Sequence, residues 1–164
     1  MKKYKFFDHT ADVMFEAYGK TLNELFENAA LATQETQVDL KDVKGKIKRK
    51  INLKNKSIEM LLFDFLQELI FLKDSQYSLF SKFKINIKKN KDNFVLESEI
   101  SGEKINPKTL PLSIKDIDYI KHKIINKVKA ELFLRISKGY TNIDLNLIEQ
   151  LTNKYLKETN ILEN

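Results

Sequence analysis

Asp8-His9-Thr10-Ala11-Asp12, close to the start of the chain, is the densest group of residues able to do chemistry. Two carboxylates at this spacing, one on a loop and one opening a strand, can both reach a hard cation such as Ca²⁺ or Mg²⁺, which binds through anionic oxygen. Taken alone, the same residues read more simply as a turn, with Asp8 and His9 capping or hydrogen-bonding it and Asp12 solvated. His9 and His122 are the only histidines. They could form a zinc pair or an acid–base unit, because imidazole titrates near neutral pH. Against that, a histidine beside an acid usually fixes loop geometry, and His122 sits among lysines, as an exposed strand residue would. There is no cysteine, so disulfides, thiolate zinc sites and cysteine nucleophiles are excluded, and a metal would be held by oxygen or imidazole. Gly19, Gly45, Gly102 and Gly139 stand alone, which leaves neither a glycine-rich phosphate loop nor a nucleophile elbow. No catalytic kit is visible. A metal-dependent phosphatase or nuclease using Asp8, His9 and Asp12 is the reading an enzyme would require.

A second candidate is charge. Lys44, Lys46, Lys48, Arg49, Lys50, Lys54 and Lys56 crowd one segment and could meet a phosphate backbone, as in a basic RNA-binding or chaperone-like module. Nucleic-acid surfaces usually interleave aromatics for stacking, and none occurs here. A strand edge protected by lysine is the better reading.

The elements that would position these residues follow from periodicity. Tyr4 to Phe7 and Val13 to Tyr18 read as two short strands around the acidic run, ended by Gly19. Thr21-Leu22-Asn23-Glu24 is a capping box, and the apolar spacing of Leu22, Leu25, Phe26, Ala29, Ala30 and Thr33 predicts a helix that fades near Gln37. Lys46 to Leu53 alternates as an exposed edge strand. Ser57 can cap a second helix whose stripe runs from Ile58 through Leu72, broadened by Phe63, Ile70 and Phe71. The period then changes to two through Phe83, Ile85 and Ile87, a hairpin turn over residues 89–93, and Phe94 to Leu96. Gly102 to Pro111 reads as turn-rich, residues 119–136 as a long period-two stretch, and Ile143 to Leu147 as a last strand. The tail from residue 149 could form a short polar helix. Strands with short turns and two helices predict an α+β fold, a single domain with a mostly antiparallel sheet and the two main helices packed on it. No internal repeat is evident.

The bulk properties agree. At 164 residues and 42% hydrophobic content, the chain can bury one good core. No apolar run is long enough for a membrane span, and an acid at position 8 interrupts any signal-peptide core, so a cytoplasmic location is expected. The formal charge of +6 favours attraction to nucleic acid or to an acidic protein face without choosing between them.

Together these segments resemble the archease family from about Tyr4 to about Leu147. Asp8-His9-Thr10-Ala11-Asp12-Val13 looks like the family's D/E-H-T-A-D-V signature, followed by Ala17-Tyr18-Gly19-Lys20-Thr21-Leu22. Phe26 to Ala32 with Val38-Asp39, Leu61-Leu62 through Leu69, and Leu79-Phe80-Ser81 are similar to the family's two helices and the strand entry that follows. Gly102-Glu103 with Asn106-Pro107 resembles its G-E-x-x-D-P turn. The resemblance implies an archease-like domain over residues 1–148, with 149–164 as an extension. It implies an accessory protein, not an enzyme, for the GTP-dependent RNA-splicing ligase of the RtcB type, promoting guanylylation of the ligase and repeated turnover in tRNA splicing or RNA repair. RNA contact would be indirect, and no membrane is involved. The family binds a divalent cation, usually Ca²⁺, with Mg²⁺ and Mn²⁺ as alternatives, through the last Asp of the signature and residues ending the final strand. The first ligand maps to Asp12. Alternation puts the second at Asn146 or, two residues earlier on the same face, at Asp144. A carboxylate serves a hard cation better than an amide, which favours Asp144 with Asn146 as helper. The family histidine before that strand falls on Leu134 or, counting from Pro111, on His122. Oligomeric state is left open.

Overall fold

The structure, a computed structural model, describes residues 2–7, 12–105, 116–126 and 129–137, with backbone alone for Asp12 and for the last two stretches. The elements run β1 (Tyr4–Phe7), β2 (Asp12–Tyr18), α1 (Leu22–Glu35), a short 3-10 helix (Leu40–Asp42), β3 (Ile47–Asn55), α2 (Ile58–Gln76), β4 (Ser78–Asn90), β5 (Asn93–Lys104), β6 (Asp116–Asn126) and β7 (Lys129–Ser137). The fold is α+β, with antiparallel strand pairing and two main helices. The strands form two ladders, one ordered β1-β2-β7-β6 and the other β3-β5-β4. The chain divides into two compact units, one of residues 1–29 with 116–164 and one of residues 30–115, the division falling within α1.

In the unit holding the four-stranded ladder, β2 lies between β1 and β7. Phe15 and Ala17 are fully buried, and the Phe6 ring meets Phe15 edge-on at 5.7 Å. Gly19 ends the strand because a side chain there would collide with the first turn of α1: a Cβ would lie 2.3 Å from the Leu25 nitrogen. Thr21 Oγ1 accepts from the Glu24 N–H at 3.2 Å, and the Glu24 carboxylate accepts from the Lys20 N–H at 2.8 Å. The box therefore closes one residue earlier than the usual return to the cap's own N–H. The Asn28 amide donates to the Tyr18 carbonyl at 2.7 Å, tying the helix to the strand end.

In the other unit, α2 packs on β3, β4 and β5. Ser57 caps it by accepting from the Met60 N–H at 3.2 Å. Leu61, Leu62, Phe65, Leu66 and Leu69 are fully buried, as are Leu96 and Ile100 on β5. Phe65 meets Phe83 edge-on at 6.4 Å. The expected stripe is too wide by one residue, since Phe71 is 53% exposed. Ser98 reaches the Ile51 carbonyl at 3.1 Å, which satisfies a buried hydroxyl inside the sheet.

Two expectations are corrected. Gly102 does not begin a turn: it lies in β5, which runs on to Lys104. A Cβ there would sit 1.8 Å from the Leu79 carbonyl oxygen, beside the shift of register between Phe80 and Lys82. The glycine thus serves close strand approach at an irregularity. Residues 106–115, which carry Asn106-Pro107, lie outside the described residues. The period-two stretch 119–136 is two strands, β6 and β7, paired antiparallel with Ile120 opposite Leu134, His122 opposite Leu132 and Ile124 opposite Ala130. The expected last strand, 143–147, and the tail 149–164 also lie outside the described residues. Among the described residues, no helix is long and apolar enough to cross a membrane.

Candidate functional site

Asp12 is the first residue of β2, and the ladder fixes what its backbone meets. Its rung partner on β7 is Arg135, and the next rungs pair Val13 with Leu134 and Met14 with Phe133. On the far side of β7, Arg135 pairs with Tyr119, and Asp116 opens β6 opposite Ser137. One end of the sheet thus gathers the start of β2, the end of β7 and the start of β6. β7 ends at Ser137, two residues beyond the Asp12 rung.

Asp8, His9, Asp144 and Asn146 lie outside the described residues, so Asp12 is the one proposed ligand whose backbone is placed. Among the described residues, no group of three or more histidines, cysteines, aspartates or glutamates could hold a metal ion. Arg135 was not visible as a neighbour in the sequence, because only the strand register pairs it with Asp12. The two residues that competed for the family histidine separate cleanly in the ladder. Leu134 stands on the rung of Val13, whereas His122 pairs with Leu132, which pairs in turn with Phe15.

Along the β1–β2 pair the contacts are placed. The Tyr18 N–H donates to the Lys3 carbonyl at 2.9 Å, closing the β1–β2 pair. The Tyr18 hydroxyl donates to the Glu16 carboxylate. Lys5 stacks its ammonium over the Phe7 ring at 4.6 Å. These contacts fix the strand that delivers Asp12 to the sheet end.

Comparison with known proteins addresses the same stretch. The sequence profile of the Archease protein family matches residues 4–139. Protein archease of Methanosarcina barkeri is 40% identical over 121 residues, 72% of this chain and 83% of that protein. Protein archease of Sulfurisphaera tokodaii is 40% identical over 129 residues, 77% of this chain and 91% of that protein. The solution structure of Methanobacterium thermoautotrophicum protein 1598 superposes with a TM-score of 0.71 at 34% identity, covering 82% of this chain and 99% of that one. The profile match begins at β1, includes Asp12 and stops short of Asp144 and Asn146. On this span and at this identity, the chain belongs to the archease family.

Proposed function

We propose that this chain is the accessory factor of an RtcB-type GTP-dependent RNA ligase, promoting ligase guanylylation and repeated turnover from a cytoplasmic location while catalysing no reaction itself. Membership in the archease family, whose proteins are non-catalytic accessory factors linked to RNA ligation, carries this reading. Asp12, together with Asp144 and with Asn146 as helper, would hold a divalent cation, Ca²⁺ in the first instance and Mg²⁺ or Mn²⁺ as alternatives. The donor set suits such an ion: these are oxygen ligands on a chain without cysteine. The topology is compatible with it, because β7 ends two residues past the Asp12 rung and seven residues, the separation of Ser137 and Asp144, can span at most about 25 Å. When bound, the ion would neutralise phosphate oxygens at the ligase's active-site entrance. The chain's own part is to carry Asp12 at the end of a four-stranded ladder. The test is a multiple-turnover ligation assay with the cognate ligase, run with wild type, Asp12→Ala and chelator. Stimulation is expected with wild type alone, and full stimulation by Asp12→Ala would sink the proposal.

A further inference from the structure

A second surface lies on the solvent side of the β3-β5-β4 sheet. β3 and β4 carry the same pattern, Lys48-Arg49-Lys50-Ile51-Asn52-Leu53-Lys54 and Lys82-Phe83-Lys84-Ile85-Asn86-Ile87-Lys88. β5 pairs with both strands in the same register. Lys48 and Lys82 stand opposite Ser101, Lys50 and Lys84 opposite Glu99, Asn52 and Asn86 opposite Glu97, and Lys54 and Lys88 opposite Val95. Alternation sorts the two faces: Ile51 and Ile85 are buried, while all six lysines and both asparagines are exposed.

Two rows of identical order, Lys-Lys-Asn-Lys, therefore run side by side with a strip of carboxylates between them. They are two strand spacings, about 9.6 Å, apart, and successive positions along a row are about 6.8 Å apart. The Lys48 ammonium lies 3.7 Å from Glu99 and that of Lys88 lies 3.6 Å from Glu97. Such exposed pairs are screened and weak, so the face stays strongly positive. Between the rows lies a shallow, solvent-open depression of about 390 Å³, lined by Lys50, Asn52, Lys84, Asn86, Glu97 and Glu99 among others.

Protection of the sheet edges explains lysines on β3 and on β4. It does not explain why both edges place lysine and asparagine on the same rungs. A single strand of nucleic acid fits poorly, because no aromatic residue stands in these four rungs to stack a base. A duplex fits better. The minor groove of A-form RNA is wide and shallow, lined with 2′-hydroxyls and bordered by the phosphates of both strands, and it is recognised through shape and backbone. We propose that this face binds the backbone of double-helical RNA, the lysine rows meeting phosphates on either side of the minor groove and Glu97, Glu99 and the two asparagines meeting 2′-hydroxyls between them. Carboxylates under a polyanion would be unfavourable, whereas carboxylates under hydroxyl donors are useful. This contact is independent of the cation site and of the ligase reading above.

The test is a fluorescence titration of the full chain with an RNA duplex of roughly 16 base pairs, at several salt concentrations. A DNA duplex of the same sequence and polyglutamate serve as competitors. The variant Lys50→Ala/Lys54→Ala/Lys84→Ala/Lys88→Ala is compared with Lys2→Ala/Lys3→Ala/Lys20→Ala/Lys41→Ala, which removes equal charge elsewhere. Expected are at least a tenfold loss and a salt slope shallower by about three for the first variant, with less than about a threefold loss for the second. Equal loss in both variants would overturn the proposal, as would competition by polyglutamate or DNA equal to that by RNA. Glu97→Gln/Glu99→Gln is expected to erase the preference for RNA over DNA; tighter binding to both with the preference intact would remove the 2′-hydroxyl contact. Should the fourfold variant fail to fold, Lys50→Gln/Lys84→Gln is read in the same way, with about a threefold loss expected and no loss overturning the proposal.

Discussion

Gly102 and Glu103 are neighbours in the chain with different work to do. Gly102 lets β5 approach the Leu79 carbonyl, where a Cβ would stand at 1.8 Å. Gly102→Ala should therefore destabilise the protein by on the order of 3 kcal/mol in urea unfolding, the cost of overpacking against backbone. The Glu103 carboxylate accepts from the Lys46 ammonium at 2.5 Å and from the Lys44 N–H at 3.0 Å. The hydrogen bond from Lys46, then that from Lys44, holds its carboxyl below the usual range. A depressed folded-state pKa stabilises the protein above the unfolded value and ceases to do so as pH falls through the folded one. Glu103→Gln should thus be less stable than wild type at neutral pH, and the difference should close in thermal melts as pH falls below about 4. At the proposed cation site, Asp144→Ala should weaken Ca²⁺ binding by calorimetry much more than Asn146→Ala, because charge dominates the affinity of a hard cation. A larger effect of Asn146→Ala would move the second ligand to Asn146.

The elements were legible where a residue's local chemistry determines its structure. Thr21 with Glu24, and Ser57 ahead of an apolar stripe, mark helix starts that the hydrogen bonds bear out. Ser57→Ala should cost about 1 kcal/mol, and Phe65→Ala, fully buried against Phe83, about 3–5 kcal/mol, both measurable by chemical denaturation. Legibility ended where pairing decides. Gly102 read as a turn residue because glycine is most often needed for backbone freedom, and only the approach of β4 shows that it is needed for space. Residues 119–136 kept one period across two strands, so periodicity alone could not show the reversal between Asn126 and Lys129. The matching rows on β3 and β4 are hidden in the sequence for a related reason. The two heptads are far apart in sequence and acquire meaning only when β5 brings them into register.

For the whole molecule, the resemblance was legible from ordered segments spread along the chain, and the profile match over residues 4–139 bears it out. The net charge of +6 was legible too, but its arrangement was not, since a count cannot tell a scattered surface from two aligned rows. Asp12 stood out because it belongs to a compact signature, and the structure places its backbone at the end of a four-stranded ladder, on the rung of Arg135. The second half of the proposed site depends on residues past the matched stretch, where neither periodicity nor the profile fixes the ligand. The accessory role is tested most directly by multiple-turnover RNA ligation with the cognate ligase and either wild type or Asp12→Ala at matched concentrations. Expected is stimulation by wild type that Asp12→Ala fails to produce despite an unchanged melting profile; equal stimulation by both would contradict the role given to Asp12, and no stimulation by either would contradict the accessory function itself.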